Sequence, residues 1–378
     1  MGILFAGPQL EFEQIREQWL AAVQQVAARG VFVGGQAVTD FEAAFARYSG
    51  SASAAGVGNG TDALFLTLKA LGVGPGDEVV TAVNTFVATV EAIHHTGATP
   101  VLVDCDPDSY LIDAEQLIAK LSSRTKAIIP VHLYGQMVDM SPWLSIARAR
   151  GIAVVEDSAQ AAGARLEGKP AGSVGGAGCF SFYPDKNLGA LGDGGAVVSS
   201  DESLLAKVRR LRNHGGETRY SHDSPGYNSR LDALQALALS MKLERLDEWS
   251  AHRRQVANCY ERHLADIEGV VLPAHRHDES HVFHLYVVRL PAEARENVRR
   301  SLQKKGILTA VQYPLPIHQL PAFRHLGYGA GDFPIAEFCS QRIVSLPMHI
   351  GMDEEAVAEV ATQVKNALTL KPAKINGG

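Results

Sequence analysis

The sequence is poor in the features that mark secreted, membrane-spanning and nucleic-acid-binding chains. It has only four cysteines, far apart and without a CxxC pair, which argues against a disulfide framework and favours reduced, mostly buried thiols in a cytoplasmic protein. No apolar run approaches the ~18 residues that a membrane helix needs. Its 35 Lys and Arg residues are outnumbered by 41 Asp and Glu residues, and a net charge of −6 excludes a general attraction to nucleic acid or anionic lipid.

The length and the apolar content predict a globular chain with more than one domain. At 378 residues, the expectation is roughly two to three domains, or one large α/β domain with a smaller one. Apolar residues make up 46% and charged residues 20% of the chain, which is too apolar for disorder.

The segment from about residue 56 to 200 alternates short apolar runs with helical stretches. Strands are predicted at 78–83, 100–104, 127–132 and 152–157, and helices at 61–71, 86–95, 142–150 and after Asp113 as N-cap. This alternation predicts a largely parallel sheet with helices on both faces. Ligands of such sheets bind at the carboxyl ends of the strands.

The chain beyond residue 230 follows a different pattern. Residues 230–264 lack glycine and proline, which predicts one long helix or two joined helices that link a first domain to a second. A strand at 282–290 and helices at 292–305 and 352–370 then predict a small α+β domain.

Three motifs lie in an order that suggests chemistry. GNGTDA at 58–63 is a glycine-rich turn that opens a helix, and the free N–H groups of a helix start bind anions. EDSAQ at 156–160 puts acids at the end of an apolar strand. FSFYPDKNLG at 180–189 holds a lysine beside aromatic residues, where desolvation favours the neutral, nucleophilic amine. Taken singly, GNGTDA is also explained as a turn followed by a capped helix. EDSAQ is also explained as the N-cap of the next segment.

Together the motifs supply the three parts of a pyridoxal phosphate site, namely a phosphate cradle, an acid for the ring nitrogen and a Schiff-base lysine. Gly60 and Thr61 are the predicted cradle, Asp157 the acid and Lys186 the lysine. Phe86 follows a strand and is a candidate to stack on the ring, although it fits a core position equally well.

The sequence resembles the DegT/DnrJ/EryC1/StrS family of sugar aminotransferases. The matching stretches run through most of residues 20–245: GNGTDAL, PGDEVVTAVNTFVATVEAI, VDCDPDSYLID, TKAIIPVHLYGQ, VVEDSAQAAGA, FSFYPDKNLGALGDGGAV and NSRLDALQA. Weaker matches, HLYVVRL and YPLPIHQLPAF, continue toward the C-terminus. The resemblance implies an α/β chain with the type I fold of pyridoxal-phosphate-dependent transferases. Its large cofactor-binding domain would take residues 1–250, with a mostly parallel central sheet flanked by helices, and its smaller C-terminal α+β domain residues 251–378.

The resemblance also assigns roles to residues. Lys186 matches the Schiff-base lysine, Asp157 the partner of the ring nitrogen, Gln160 the neighbour of the ring's phenolic oxygen and Phe86 the stacking aromatic residue. The remaining matches are to phosphate-binding positions, at Gly60, Thr61 and Ser181, and at Asn228, which in the family reaches the phosphate from the other subunit of a homodimer. Tyr183, Arg219, Tyr313 and His318 are candidates for substrate binding.

The implied activity is transfer of an amino group from glutamate to a nucleotide-linked keto-deoxysugar, with a dTDP-3-keto-6-deoxyhexose favoured. Some relatives carry histidine instead of the lysine and remove a hydroxyl group, so Lys186 favours aminotransfer. A 4-keto sugar, a cyclitol ketone and a catalytically silent sugar-nucleotide-binding protein remain alternatives. The histidines between 275 and 284 (His275, His277, His281 and His284) fit no standard zinc spacing, so no metal is expected.

Overall fold

A seven-stranded, mostly parallel sheet forms the centre of the chain. The computed structural model describes residues 2–216, 218, 220–276 and 278–369. The strands of this sheet are β1 (Ser53–Val57), β2 (Glu78–Ala82), β3 (Thr99–Val103), β4 (Thr125–Ile129), β5 (Ala153–Asp157), β8 (Ala177–Ser181) and β9 (Gly195–Ser199). Their order is β1-β9-β8-β5-β4-β2-β3. A short hairpin, β6 (Arg165–Leu166) and β7 (Lys169–Pro170), stands outside the sheet.

The predicted parallel sheet is confirmed, with antiparallel strands at one edge. β3, β2, β4, β5 and β8 run parallel, whereas β9 is antiparallel to both β8 and β1. Every residue of β2 and β9 is buried. Strands covered on both faces are mostly apolar, which is why the sequence shows nearly continuous apolar runs rather than alternation.

Helices cover both faces of the sheet, and the helices predicted at 61–71, 86–95, 142–150, 292–305 and 352–370 begin and end within two residues of those bounds. Their bounds are α1 (Pro8–Glu13), α2 (Arg16–Arg29), α3 (Gly35–Tyr48), α4 (Gly60–Ala70), α5 (Val87–Thr96), α6 (Ala114–Lys120), α7 (Ser141–Ala149), α8 (Glu202–Leu211), α9 (Ala233–Leu243), α10 (Leu246–Leu264), α11 (Ala292–Lys304), α12 (Pro334–Ser340) and α13 (Glu354–Thr369). Asp113 caps α6 as predicted, because its side chain accepts a hydrogen bond from the Gln116 N–H. Of the two alternatives for residues 230–264, the structure has two helices.

A second, smaller sheet organises the C-terminal part of the chain. β10 (Tyr286–Arg289) pairs antiparallel with β11 (Ile343–Leu346), and residues of this pair share an apolar cluster with α10, α11 and α13. The predicted domain boundary after residue 250 falls inside α10, so the division into 1–250 and 251–378 stays a prediction.

The predicted strand at 282–290 was too long. Its first four residues, 282–285, do not pair with a neighbouring strand. They contact the loop that follows β4 in the large sheet. The Val282 N–H donates to the Gly135 carbonyl at 2.9 Å, and the Leu285 N–H donates to the Tyr134 carbonyl at 3.2 Å. Phe283 lies between them with a φ of 45°, which is outside the extended region. This segment therefore joins the C-terminal part to the sheet.

Two further findings concern the described residues alone. No helix among them is both long and apolar enough to cross a membrane. Their four cysteines are free thiols, and Cys105, Cys179 and Cys339 are buried.

Close packing against β8 generates a prediction for stability. A Cβ at Gly178 would lie 2.3 Å from the Gly172 Cα, so Gly178→Ala forces backbone atoms apart. We expect a loss of about 1–3 kcal/mol in the free energy of unfolding, as for overpacked cores. Urea denaturation measures it. Gly176→Ala is the matched control, because its added Cβ meets only the Val154 carbonyl oxygen, at 3.5 Å. Equal stability of the two variants would contradict the prediction.

Candidate active site

A cavity of about 480 Å³ opens at the carboxyl ends of four neighbouring parallel strands, β2, β4, β5 and β8. This is the position that the strand order of such sheets favours for a ligand. The cavity brings together most of the predicted site residues: Gly60, Thr61, Phe86, Asp157, Gln160, Ser181, Tyr183, Lys186 and Tyr313.

The start of α4 forms one end of the cavity. The Asn59 side chain caps this helix by accepting a hydrogen bond from the Asp62 N–H at 2.8 Å. Gly60 lies so close to Ser181 that an added Cβ would be 2.6 Å from the Ser181 Cβ. A helix start with its free N–H groups, a neighbouring hydroxyl and no side chain at Gly60 make a cradle that fits a phosphate group.

The connection that carries Asn228 is tied to the same helix start. The Ser229 hydroxyl accepts a hydrogen bond from the Gly58 N–H at 2.9 Å and donates one to the Asp62 carboxylate at 2.6 Å. Asn228 itself is exposed, and its backbone pairs with Asn213. Its side chain is not among those that line the cavity.

Asp157 is the last residue of β5, and its carboxylate is buried at the floor of the cavity. One oxygen accepts a hydrogen bond from the Thr89 hydroxyl at 2.7 Å and the other from the Ala159 N–H at 3.2 Å. Burial raises the pKa of Asp157, while Thr89, Ala159 and then the Lys186 ammonium oppose that rise. A cation bound beside this carboxylate would lower its burial cost, which fits a protonated ring nitrogen.

Lys186 follows β8 in a tight turn, in which its N–H donates to the Tyr183 carbonyl at 2.9 Å. Burial lowers the pKa of the Lys186 ammonium, and the Asp185 and Asp157 carboxylates work in the opposite direction. The sequence motif predicted this lowering from the aromatic neighbours. A lysine that loses its proton more readily is a better nucleophile toward an aldehyde.

Gln160 connects the floor of the cavity to the C-terminal part of the chain. Its amide oxygen accepts a hydrogen bond from the Tyr134 N–H at 2.6 Å, and its amide nitrogen donates to the Tyr313 hydroxyl at 3.0 Å. The Tyr313 ring lies 5.4 Å from the Phe86 ring, centroid to centroid. Tyr313 and the half-exposed Phe86 therefore form one wall of the cavity.

Two candidates for substrate binding, His318 and Arg219, stay predictions. His318 lies outside the cavity's lining. It is buried, its Nε2 is 2.9 Å from the Glu337 carboxylate, and its ring packs on Phe333. A YPLPIHQLP motif near the site gave no information on which side chains turn inward. Arg219 lies outside the described residues.

Two residues of the site were missed at the sequence level. Thr89 lies one helical turn after Phe86, a spacing that the sequence displays but that carries no signal for contact with Asp157. His284 lines the cavity as well, although the sequence places it only at a strand start. Among the described residues, which omit His277, no group of three or more His, Cys, Asp or Glu is arranged to bind a metal ion.

Known proteins resemble this chain along nearly its whole length. The family model described as the DegT/DnrJ/EryC1/StrS aminotransferase family matches residues 13–365. A dTDP-3-amino-3,4,6-trideoxy-alpha-D-glucose transaminase of Micromonospora megalomicea is 45% identical, over 95% of this chain and 97% of that protein. A Geobacillus stearothermophilus protein named "pleiotropic regulatory protein" is 44% identical, over 94% of this chain and 95% of its own length.

Solved structures extend the comparison to the fold. S. venezuelae DesV, in complex with a ketimine intermediate, superposes with a TM-score of 0.94 and 39% identity, covering 98% of this chain and 100% of that one. A putative sugar aminotransferase of Streptococcus pneumoniae, described in a PLP form, is 27% identical with a TM-score of 0.89, covering 97% and 98%.

The hydrogen bond from Thr89 to Asp157 generates a prediction with a defined pH dependence. Thr89→Val removes a donor from a buried carboxylate and should lower the free energy of unfolding by about 1–3 kcal/mol. The bond lowers the pKa of Asp157, so its loss raises that pKa further above the unfolded value. The loss of unfolding free energy in Thr89→Val is therefore largest at pH values where Asp157 is ionised. It becomes smaller as the pH falls through the pKa of Asp157 in the folded protein.

Urea denaturation of wild type and Thr89→Val at several pH values measures this deficit. Thr89→Ser is the matched control, because it keeps the hydroxyl donor and should be close to wild type. A deficit that is the same at every pH would show that the threonine stabilises the protein through packing and not through Asp157.

Proposed function

We propose, from the premise that this chain belongs to the DegT/DnrJ/EryC1/StrS aminotransferase family and uses pyridoxal 5′-phosphate, that it transfers the amino group of glutamate to a nucleotide-linked keto-deoxysugar. A dTDP-3-keto-6-deoxyhexose is the favoured acceptor, in keeping with the named activity of the Micromonospora relative. The observation that carries the proposal is that Lys186, Asp157 and the Gly60 cradle line one cavity.

The cofactor is held at three points in this proposal. The phosphate takes the start of α4, with Gly60, Thr61 and Ser181. Asp157 pairs with the protonated ring nitrogen. That positive charge stabilises the Asp157 carboxylate, whose ionised form is otherwise disfavoured by burial. Phe86 packs on the ring, and Gln160 lies beside the ring's phenolic oxygen, with its amide already held by Tyr134 and Tyr313.

The bound cofactor supplies an electron-accepting ring and carries the amino group between the two half-reactions. The chain's own contribution is proton transfer and orientation. The Lys186 amine takes the proton from the α-carbon of the amino donor as a general base. In the second half-reaction the same side chain returns a proton to the carbon of the sugar that receives the amine. Its lowered pKa keeps a usable fraction of the amine neutral.

The sugar enters where the cavity is open. Tyr183 is half-exposed at this mouth, with Phe86 and Tyr313 on the facing wall. We propose that Tyr183 and Tyr313 contact the sugar nucleotide, because aromatic rings with a polar tip suit both a sugar face and its hydroxyls. Keto sugars with the ketone at C4 and cyclitol ketones are the alternative acceptors, since the same chemistry serves them.

A second candidate is a regulatory protein that binds sugar nucleotides without turnover. It is favoured by the name of the 44% identical Geobacillus protein. The complete set of Lys186, Asp157 and phosphate cradle opposes it, since binding alone does not need a buried amine with a lowered pKa.

The proposed assembly is a cytoplasmic homodimer with shared active sites. About half of the surface of Val31, Phe32 and Val33 is exposed. A contiguous exposed apolar surface is typical of a site that binds another protein. This strip lies beside the Asn228 segment, because the Phe32 carbonyl accepts a hydrogen bond from the Ala233 N–H. We propose that a second copy docks there and that Asn228 reaches the partner's phosphate cradle, as the resemblance to the family implies. The free thiols are in keeping with the cytoplasm.

The substrate is tested by incubating the protein with glutamate and a panel of nucleotide-linked 3-keto and 4-keto sugars and a cyclitol ketone. We expect an amino sugar from the dTDP-linked 3-keto sugar, identified by mass and NMR, together with 2-oxoglutarate. Lys186→Ala is the control and should give no turnover. Product from a 4-keto sugar alone would contradict the favoured acceptor, and no product from any ketone would support the regulatory candidate.

Shared active sites are tested by mixing inactive variants. Lys186→Ala and Asn228→Ala chains, once their subunits have exchanged, should recover up to about a quarter of wild-type activity, because half of the dimers are mixed and each has one intact site. The matched control mixes Lys186→Ala with Asp157→Asn, whose residues line one cavity of the same chain and should not complement. Confirmed exchange without recovery would place Asn228 in its own chain's site.

A further inference from the structure

His284 is a polar residue of the cavity whose ring nitrogens have no hydrogen-bond partner among the described residues. It is 7% exposed and lines the same cavity as Lys186. Its Nδ1 is fully buried without a partner. A buried polar atom left unpaired costs about 1–3 kcal/mol, and folded proteins rarely keep one without a use.

Two connections hold His284 beside the lysine turn. The side chain of Asn187, the residue after Lys186, donates to the Val282 carbonyl at 2.9 Å. On the other side, the Leu285 N–H donates to the Tyr134 carbonyl. The two backbone segments are closely packed here, since a Cβ on Gly135 would lie 2.9 Å from the backbone nitrogen of His284. The backbone that carries the imidazole is therefore held beside the lysine turn.

The surroundings of His284 favour its neutral form. Burial lowers its pKa well below the usual range, and the positive charges of Lys186 and then Arg253 lower it further. A neutral imidazole keeps one nitrogen lone pair and can accept a hydrogen bond from an ammonium group.

We propose that His284 is a positioning residue for Lys186, and that its imidazole accepts a hydrogen bond from the Lys186 amine whenever that amine is not bonded to the cofactor. The bond draws the amine toward His284 in the cavity, where it moves protons, and away from the carboxylates of Asp157 and Asp185. The inference rests on the role that the proposed function gives to Lys186.

The other groups that face Lys186 set the background for a test. Asp157 lies at the end of β5, Asp185 on the lysine's own turn and Asp193 farther along the same connection. Tyr313 faces it from the C-terminal part, with a pKa raised mainly by burial, so it stays neutral. Both Asp157 and Asp185 raise the pKa of the Lys186 ammonium. A hydrogen bond from His284 would act in the same direction.

The test measures the pKa of Lys186 in the full-length protein loaded with pyridoxamine phosphate, where the lysine is not bonded to the cofactor. Pulses of acetic anhydride across a range of pH values, followed by peptide mass spectrometry, give the midpoint of Lys186 acetylation. In His284→Leu the midpoint should fall by about one unit, because the ammonium loses a hydrogen-bond acceptor. His284→Gln keeps an acceptor and should stay near wild type.

His281→Gln is the matched control, since His281 is also buried with a lowered pKa but accepts its hydrogen bond from the Phe283 N–H and does not line the cavity. His284→Met replaces His284→Leu if the latter does not fold. A wild-type midpoint in the Leu or Met variant, equal shifts in the Leu and Gln variants, or an equal shift in His281→Gln would each overturn the proposal. No sugar or amino donor is involved, so failure here is distinct from failure of the proposed function.

Discussion

Two adjacent carboxylates, Glu156 and Asp157, are buried at the end of β5, and the site depends on how each is satisfied. Successive side chains of a strand point to opposite faces, so the two acids meet different partners. Glu156 accepts hydrogen bonds from the backbone N–H groups of Gly172, Val174 and Gly175, and it is 2.8 Å from the His132 ring. A buried carboxylate that is this well bonded holds its surroundings firmly. Asp157 has two donors and faces the cavity, which leaves it with capacity for a cationic ligand.

The hydrogen bonds of Glu156 on one face of this strand end help to position the cavity residues on the other face. The His132 ring accepts the Val138 N–H at its Nδ1, so Nε2 carries the proton toward Glu156. His132 also begins the connection that contains Tyr134 and Gly135, and that connection binds Gln160 and the segment around His284. One buried acid thus orders the part of the chain to which the C-terminal residues of the cavity are attached. Tyr313 and His284 enter the site by this route although they lie more than 120 residues beyond Asp157 in the sequence.

The sequence was informative where function depends on local pattern, and uninformative where it depends on distant contacts. The apolar run ending in Asp157 and the capped turn before α4 are local signals, and the structure has both elements where they were predicted. The strand predicted at 282–290 was too long because residues 282–285 bond to Gly135 and Tyr134, which no local pattern reveals. The local pattern also gives no sign of the contact between the His318 ring and Glu337. Thr89 and His284 were missed because a contact across two elements leaves no periodicity.

The charges around the cavity show what kind of ligand it is built to receive. The buried Asp157 and the half-buried Asp185 line it, with the exposed Asp193 at its edge, against one lysine and a histidine whose pKa is lowered by burial. A surplus of buried or half-buried carboxylate is unfavourable unless a cation arrives, and Asp157 and Asp185 both have raised pKa values, chiefly through burial. In the proposed function a protonated ring nitrogen would relieve this at Asp157. The phosphate would be received apart from these acids, at the start of α4, by free N–H groups and the helix dipole. The acids and the helix start therefore offer the two charge types of the proposed cofactor separate places along one cavity, with Lys186 in the same lining.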